Sequence, residues 1–179
     1  GQNIKIVWDD QYSTEGFELL LNNHFNNMNS WLTYSLAWNN YYFEDFTPSS
    51  FPNNLDIRHI LTFGGSYHLK RFIFSGGGNY RTGKPFTKPA RDVLSNTGEI
   101  VFEQPNSSRL DDFIRFDLSM KYTFSIKELN AIVGLSVWNL LNRDNELNRY
   151  YFVNDENELE RVTQYSMDFT PNLSLRVSF

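Results

Sequence analysis

The 179-residue chain has no cysteine, which excludes disulfide frameworks, thiolate metal sites and cysteine nucleophiles together. Its compartment stays open on that ground, because oxidising compartments also hold cysteine-free proteins. No stretch approaches the ~18 consecutive apolar residues that a membrane-spanning helix requires, so a helical membrane protein is ruled out. Lys and Arg are scattered and the net charge is -5, so the electrostatic footprint of a nucleic-acid binder is missing and no nucleic-acid partner is expected. The opening "GQNIKIVWDD" has neither the apolar region nor the cleavage site of a secretory signal. Any such signal is expected to have been removed or to lie on sequence upstream of Gly1.

Aromatic residues make up 17% of the chain, with 16 Phe, 10 Tyr and 4 Trp, and they are mixed with many Asn and Ser. That mixture favours strands and turns over helices, so the fold class is all-β. Period-two alternation recurs in segments about as long as the ~9–11 residues of a tilted strand that crosses a bilayer. In "EGFELLLNNHF", Phe17, Leu19, Leu21 and Phe25 share a face. In "SWLTYSLAWNN", Leu32, Tyr34, Leu36 and Trp38 alternate with Thr33, Ser35, Ala37 and Asn39. "IRHILTFGGSYHL" is apolar at Ile57, Leu61, Phe63, Tyr67 and Leu69, and "RFIFSGGGNYRTG" keeps Phe72, Phe74 and Tyr80 in phase across three glycines.

"DDFIRFDLSMKYTFS" is the cleanest segment, with Ile114, Phe116, Leu118, Met120, Tyr122 and Phe124 against Arg115, Asp117, Ser119, Lys121 and Thr123. "LNAIVGLSVWNLLNR" is apolar on both faces, and "NLSLRVSF" closes the chain with Leu173, Leu175, Val177 and Phe179 in phase. "NRYYFVNDENELERVTQYS" reads as a hairpin that turns at Asn154 to Asn157 and extends the last two strands. "IKIVW" reads as the end of one more strand. The count is seven or eight.

Short turns ("NNMN", "LKR", "IKEL") alternate strictly with long, Pro-bearing polar connections ("YYFEDFTPSSFPNNLD", "KPFTKPARDVLSNTGEIVFEQPNSSRL"). Outer-membrane barrels show this asymmetry, with short periplasmic turns and long outer loops. Trp31, Trp38, Tyr80, Tyr122 and Trp138 sit toward strand ends, where interfacial girdles are expected. A soluble sandwich shows alternation too, and a soluble all-β carbohydrate-binding module is the alternative from another class.

In order along the chain, "FPNNLDIRHILTF", "YRTGKPFT", "RLDDFIRFDLSMKYTF", "VGLSVWNLLNRDN" and "FTPNLSLRVSF" resemble the C-terminal β-barrel region of TonB-dependent outer-membrane receptors of Bacteroidetes type. The resemblance runs from about Gly16 onward. It implies antiparallel transmembrane strands that belong to a larger barrel of about 22 strands around a plugged lumen, with residues 1–179 as one incomplete domain. It implies a multi-pass protein of the cell outer membrane in a Gram-negative bacterium, acting in transport of a scarce nutrient such as a metal chelate, cofactor or glycan. Implied partners are outer-membrane lipid, the remainder of the receptor barrel and its plug on the same or a separate chain, and the barrel-assembly machinery. The energy-coupling TonB protein, reached through the missing N-terminal part, and a surface lipoprotein complete the set. The terminal strand, Leu173, Leu175, Val177 and Phe179, would be the one that the assembly machinery recognises. A stand-alone eight-stranded barrel, whose interior side chains just fill, stays open as a further alternative.

No enzyme, cofactor or metal is expected. His24, His59 and His68 lack metal-ligand spacing, and around Asp111, Asp112 and Asp117 no nucleophile, base and oxyanion donor assemble. Asp56 and Arg58 read as a pair at the barrel rim. "TGKP" at 82–85 lacks the context of a phosphate loop and reads as a turn in which Gly83 adopts an unusual backbone conformation and Pro85 ends the strand. The candidates for ligand contact are the loop aromatics Tyr41, Tyr42, Phe43 and Phe46 and the cations Lys84, Lys88 and Arg91. Aromatic faces stack on sugars and apolar ligands, and cations attract anionic chelates. The same residues would equally serve to pack the loops together or to meet lipopolysaccharide phosphates.

Overall fold

Alternation puts every second side chain on one face, and strand pairing then decides whether neighbours agree on which face is apolar. In the computed structural model, which describes residues 11–91 and 94–179, they agree across an entire sheet. The described residues form twelve strands and no helix. These are β1 (Gln11–Phe25), β2 (Met28–Tyr42), β3 (Ser50–Pro52), β4 (His59–Leu69), β5 (Phe72–Arg81), β6 (Pro85–Phe86), β7 (Ser108–Arg109), β8 (Phe113–Ile126), β9 (Leu129–Trp138), β10 (Glu146–Val153), β11 (Leu159–Tyr165) and β12 (Thr170–Ser178).

Seven strands form an antiparallel meander in the order β1-β2-β4-β5-β8-β9-β12, and β3 pairs with the upper end of β2. The fold is therefore all-β and antiparallel. Register carries the pattern from strand to strand. Residues Met28, Tyr67, Phe74, Met120, Leu135 and Leu173 form one transverse apolar row. The alternate face carries Ser35, Thr62, Asn79, Arg115, Ser119, Ser136 and Ser174.

No second layer covers the apolar face among the described residues: Leu118 is 51% exposed and Leu175 68%. Accessible surface totals 13247 Å², against about 9,000 Å² for a compact soluble monomer of this mass. Buried apolar side chains are few and mostly lie under the loops at one end of the sheet: Phe51, Phe86, Leu110 and Phe113, with Ala131 low in β9.

The meander sorts its connections by end. Two-residue turns, Asn26–Asn27, Lys70–Arg71 and Lys127–Glu128, close one end. Their first residues have φ of 50°, 54° and 55°, the left-handed region in which tight hairpins turn. Residues 43–58, 82–112 and 139–169 span the other end. β1 and β12 each have a single neighbour in the sheet, so the described residues do not close into an eight-stranded barrel.

Several local expectations are corrected. Trp31 and Trp138 lie on the polar face, because Trp31 pairs with Gly64 and Trp138 with Thr170; only Trp38, Tyr80 and Tyr122 are in phase with the apolar set. Ile57 precedes β4 and lies in a loop. The β10–β11 hairpin forms, but as a separate sheet that does not extend β9 and β12. "IKIVW" lies outside the described residues.

Gly83 is not in a left-handed conformation; Gly98, at φ 78°, is the glycine with positive φ among the described residues. Gly83 is required for space, since a Cβ there would stand 1.7 Å from the Leu110 carbonyl oxygen. Pro85 begins β6 and does not end a strand. Gly83→Ala is expected to destabilise by about 1–3 kcal/mol, the range for overpacking, and to speed proteolysis within 82–112 several-fold. Unchanged cleavage would mean that the loop has slack at this point.

Candidate functional site

Asp56 anchors the long-loop end. Its carboxylate is 1% exposed on the side chain and accepts the Asn39 backbone N–H at 2.8 Å, the Arg109 guanidinium and, at 3.4 Å, Arg58 Nε. The Asp56–Arg58 pair thus forms as expected, but Arg109 is the closer cation. Arg109 also donates to the Asp56 carbonyl at 2.6 Å and the Gly83 carbonyl at 3.0 Å. Residues 43–58 and 82–112 are further joined by Asn106, whose side chain donates to the Pro52 carbonyl and to Asn54 Oδ1, both at 2.7 Å. A buried carboxylate is tolerable here because each of its oxygens has a donor.

The loop aromatics divide. Tyr41, Phe43, Phe46 and buried Phe51 form one cluster with ring centroids 5.4–6.0 Å apart, and Tyr12 of β1 adds to its edge. Their packing role is thereby visible, while Phe46 keeps an exposed face. Tyr42 is not brought to this cluster; it pairs with Gln11 and Ser50, in phase with Trp38, and is exposed. Of the cations, Lys88 is 3.5 Å from Glu103, in a small ladder where Ala90 N–H meets the Val101 carbonyl and Glu103 N–H the Lys88 carbonyl. Lys84 is half-buried and its carbonyl accepts the Leu110 N–H at 3.0 Å; Arg91 is exposed.

The third long connection is ordered by two fully buried asparagines. Asn139, at φ 50°, donates from its side chain to the Arg143 and Met167 carbonyls. Asn145 pairs with both the N–H and the carbonyl of Ile114, at 2.8 and 2.9 Å, as a neighbouring strand would. In β10, Arg149 makes two bonds to Glu146, at 2.7 and 2.6 Å, and lies 5.0 Å from the Phe86 ring centroid. The Glu146 hydrogen bond raises the Arg149 pKa above the ordinary guanidinium value, so it is a permanent cation fixed at the long-connection end.

The polar face holds a row that sequence reading missed. Trp31, Gly64, Gly77 and Asp117 follow one another across β2, β4, β5 and β8, and Trp138 lies just beyond the Leu118–Val137 pair. The Trp31 ring lies against Gly64, where a Cβ would stand 3.1 Å from it. Arg115 makes a bidentate pair with Asp117 at 2.8 and 2.9 Å, and Asp117 also accepts the Asn139 N–H at 2.9 Å. The phase of Trp31 with Thr33 and Ser35 was the signal available in the sequence.

The three aspartates do not form a carboxylate pair. Asp112 accepts from Tyr80 Oη and Gly83 N–H, Asp117 serves Arg115 and Asn139, and Asp111 is exposed. His24 meets Asn29, His59 Nδ1 lies 2.8 Å from Tyr34 Oη, and His68 is exposed. No group of three His, Cys, Asp or Glu with metal-binding geometry occurs among the described residues. The terminal strand pairs with β9 along its whole length, with Leu173, Leu175 and Val177 on the apolar face and Phe179 one step past Ser178.

Comparison with protein-family models, curated proteins and solved structures found no match to this chain.

Asp56→Ala is expected to cost about 3 kcal/mol, the lower part of the range for breaking a buried ion pair, because Arg109 is itself 30% exposed. Denaturant titration in detergent measures it; a loss below about 1 kcal/mol would mean that water replaces the carboxylate.

Proposed function

We propose that the chain is wall of an outer-membrane β-barrel, the C-terminal portion of a TonB-dependent receptor that takes up a scarce nutrient. The observation that carries this reading is the seven-strand sheet whose apolar face is continuous, in register and without protein cover. In water such a face is costly, at roughly 25 cal/mol per Å²; in hydrocarbon it is the required outer surface. The polar face then borders the lumen, the two-residue turns face the periplasm, and the long connections form the outer vestibule.

The open edges of β1 and β12 need partners in a bilayer, because unpaired strand edges are not tolerated in hydrocarbon. Further barrel strands of the receptor would flank them, on the same or another chain. The interlocked loops and the aromatic cluster at Phe46 would present a preformed outer surface to the nutrient. This segment contributes wall, vestibule and the terminal strand; uptake itself belongs to the whole receptor.

The test places the two faces. Variants that retain one tryptophan each are reconstituted in bilayers of brominated phosphatidylcholine, whose bromines quench indole fluorescence on contact. Trp38 is expected to be quenched, and Trp31 and Trp138 are expected to be spared. Equal behaviour of the three, or a monomeric chain that stays in detergent-free buffer, would overturn the membrane reading and favour a soluble binding module.

A paired substitution checks the same point energetically. Leu118→Arg should reduce stability in bilayers by about 2–4 kcal/mol, while Ser119→Arg, one residue along on the polar face, should be nearly neutral. Similar losses at both positions would contradict the assignment of faces.

A further inference from the structure

The apolar face is not uniformly filled. At Gly78 the Phe63 and Phe116 rings, 5.9 Å apart, close over the missing side chain, with atoms 2.8 Å from where a Cβ would lie. One row lower, Gly65 pairs with Gly76, and only a Leu118 methyl reaches over Gly76. The result is a groove of about 830 Å³ bordered by Gly65, Tyr67, Phe74, Gly76, Leu118 and Leu173. It is a trough in a surface that is otherwise ridged with aromatic and aliphatic side chains.

The Lys70–Arg71 turn lies beyond the groove on the same β4–β5 hairpin. The next rows are Tyr67–Phe74–Met120 and Leu69–Phe72–Tyr122, where Phe72 lies 4.6 Å from the Tyr122 ring and stacks on Phe74 at 5.9 Å. A second hollow of about 340 Å³ is bordered by Leu69, Lys70, Arg71, Phe72 and Tyr122. Lys70 and Arg71 are both exposed, and among the described residues neither has a carboxylate within ion-pair distance. The other two short turns differ, since Asn26–Asn27 carries no charge and Lys127 is followed by Glu128. Lys70 occupies a left-handed position, φ 54°, as do Asn26 and Lys127 in the other two turns, so Asn is accommodated there.

We propose that this strip binds one anionic phospholipid of the inner leaflet, its headgroup at Lys70 and Arg71 and an acyl chain in the Gly65–Gly76 groove. This rests on the membrane reading above. Gly76 is five residue steps beyond Arg71, roughly 17 Å along an extended strand, and half of a ~30 Å hydrocarbon core is about 15 Å. One acyl chain therefore spans the distance from the cations to the trough. Charge selects the headgroup: two uncompensated cations stand together on a chain whose net charge is -5, and each basic residue at a membrane surface favours anionic lipid about five-fold.

The experiment uses the full chain in phosphatidylcholine nanodiscs with spin-labelled phosphatidylglycerol or spin-labelled phosphatidylcholine as the probe. Electron paramagnetic resonance reads the relative association of the two. A preference for phosphatidylglycerol of the order of 30-fold at the site is expected from two cations, weakened by salt. Lys70→Asn with Arg71→Gln, which suits the turn, should abolish it, and Lys121→Gln, on the polar face of β8, should not change it. Gly76→Leu should fill the trough and release the immobilised lipid component of both probes. A wild-type chain without preference, or a preference that survives in the double variant, overturns the lipid site. Equal quenching of Trp31 and Trp38 by brominated lipid in the same preparation overturns the membrane reading instead, so the two results are distinguishable.

Discussion

Everything in this fold depends on phase. A strand slipped by one residue would turn its apolar side chains to the other face, and seven strands here keep the same phase through six antiparallel pairings. The pairing of Leu118 with Val137 and of Leu135 with Leu173 fixes that choice for β8, β9 and β12 in one stroke. A sheet so organised has a single arrangement of faces, and the apolar one is left without protein cover among the described residues. Among the described residues, buried apolar side chains lie mostly at the long-connection end, at Phe51, Phe86, Leu110 and Phe113.

That patch explains why the long connections are ordered. Asp56, Asn106, Asn139 and Asn145 are buried and all are satisfied, and no buried side-chain nitrogen or oxygen lacks a partner among the described residues. Asparagine predominates because one amide both donates and accepts, which lets Asn145 imitate a strand edge beside Ile114 and lets Asn139 bind two carbonyls at once. The long-connection end is held by polar geometry over a few buried apolar side chains, while the sheet below it is held by backbone ladders.

The sequence was most readable where period two is strict. The seven main strands, the short turns and the side of each connection all follow from alternation and turn chemistry. Trp31 and Trp138 were misread because nearness to a strand end says nothing about face, whereas their parity with Thr33 and Ser136 does. Gly83 was misread for a different reason: the need for it arises from Leu110, which is distant in sequence and comes close only through pairing of β6 with β7. Arg109 as the partner of Asp56 was invisible likewise, since their contact spans 53 residues and no local pattern announces it. Of the loop aromatics named as candidates for ligand contact, Tyr41, Phe43 and Phe46 gather around Phe51, whereas Tyr42 obeys strand parity.

The contact between Asp56 and Arg109 also bears on how such a surface can diversify. Two segments that share one buried charge pair, and a common asparagine clasp, are physically coupled: a new loop grafted at 43–58 without its counterpart at 82–112 would strand a cation or an anion. Substitution is expected to be tolerated best away from that base, beyond Phe46 and around Gly98, where the chain is exposed.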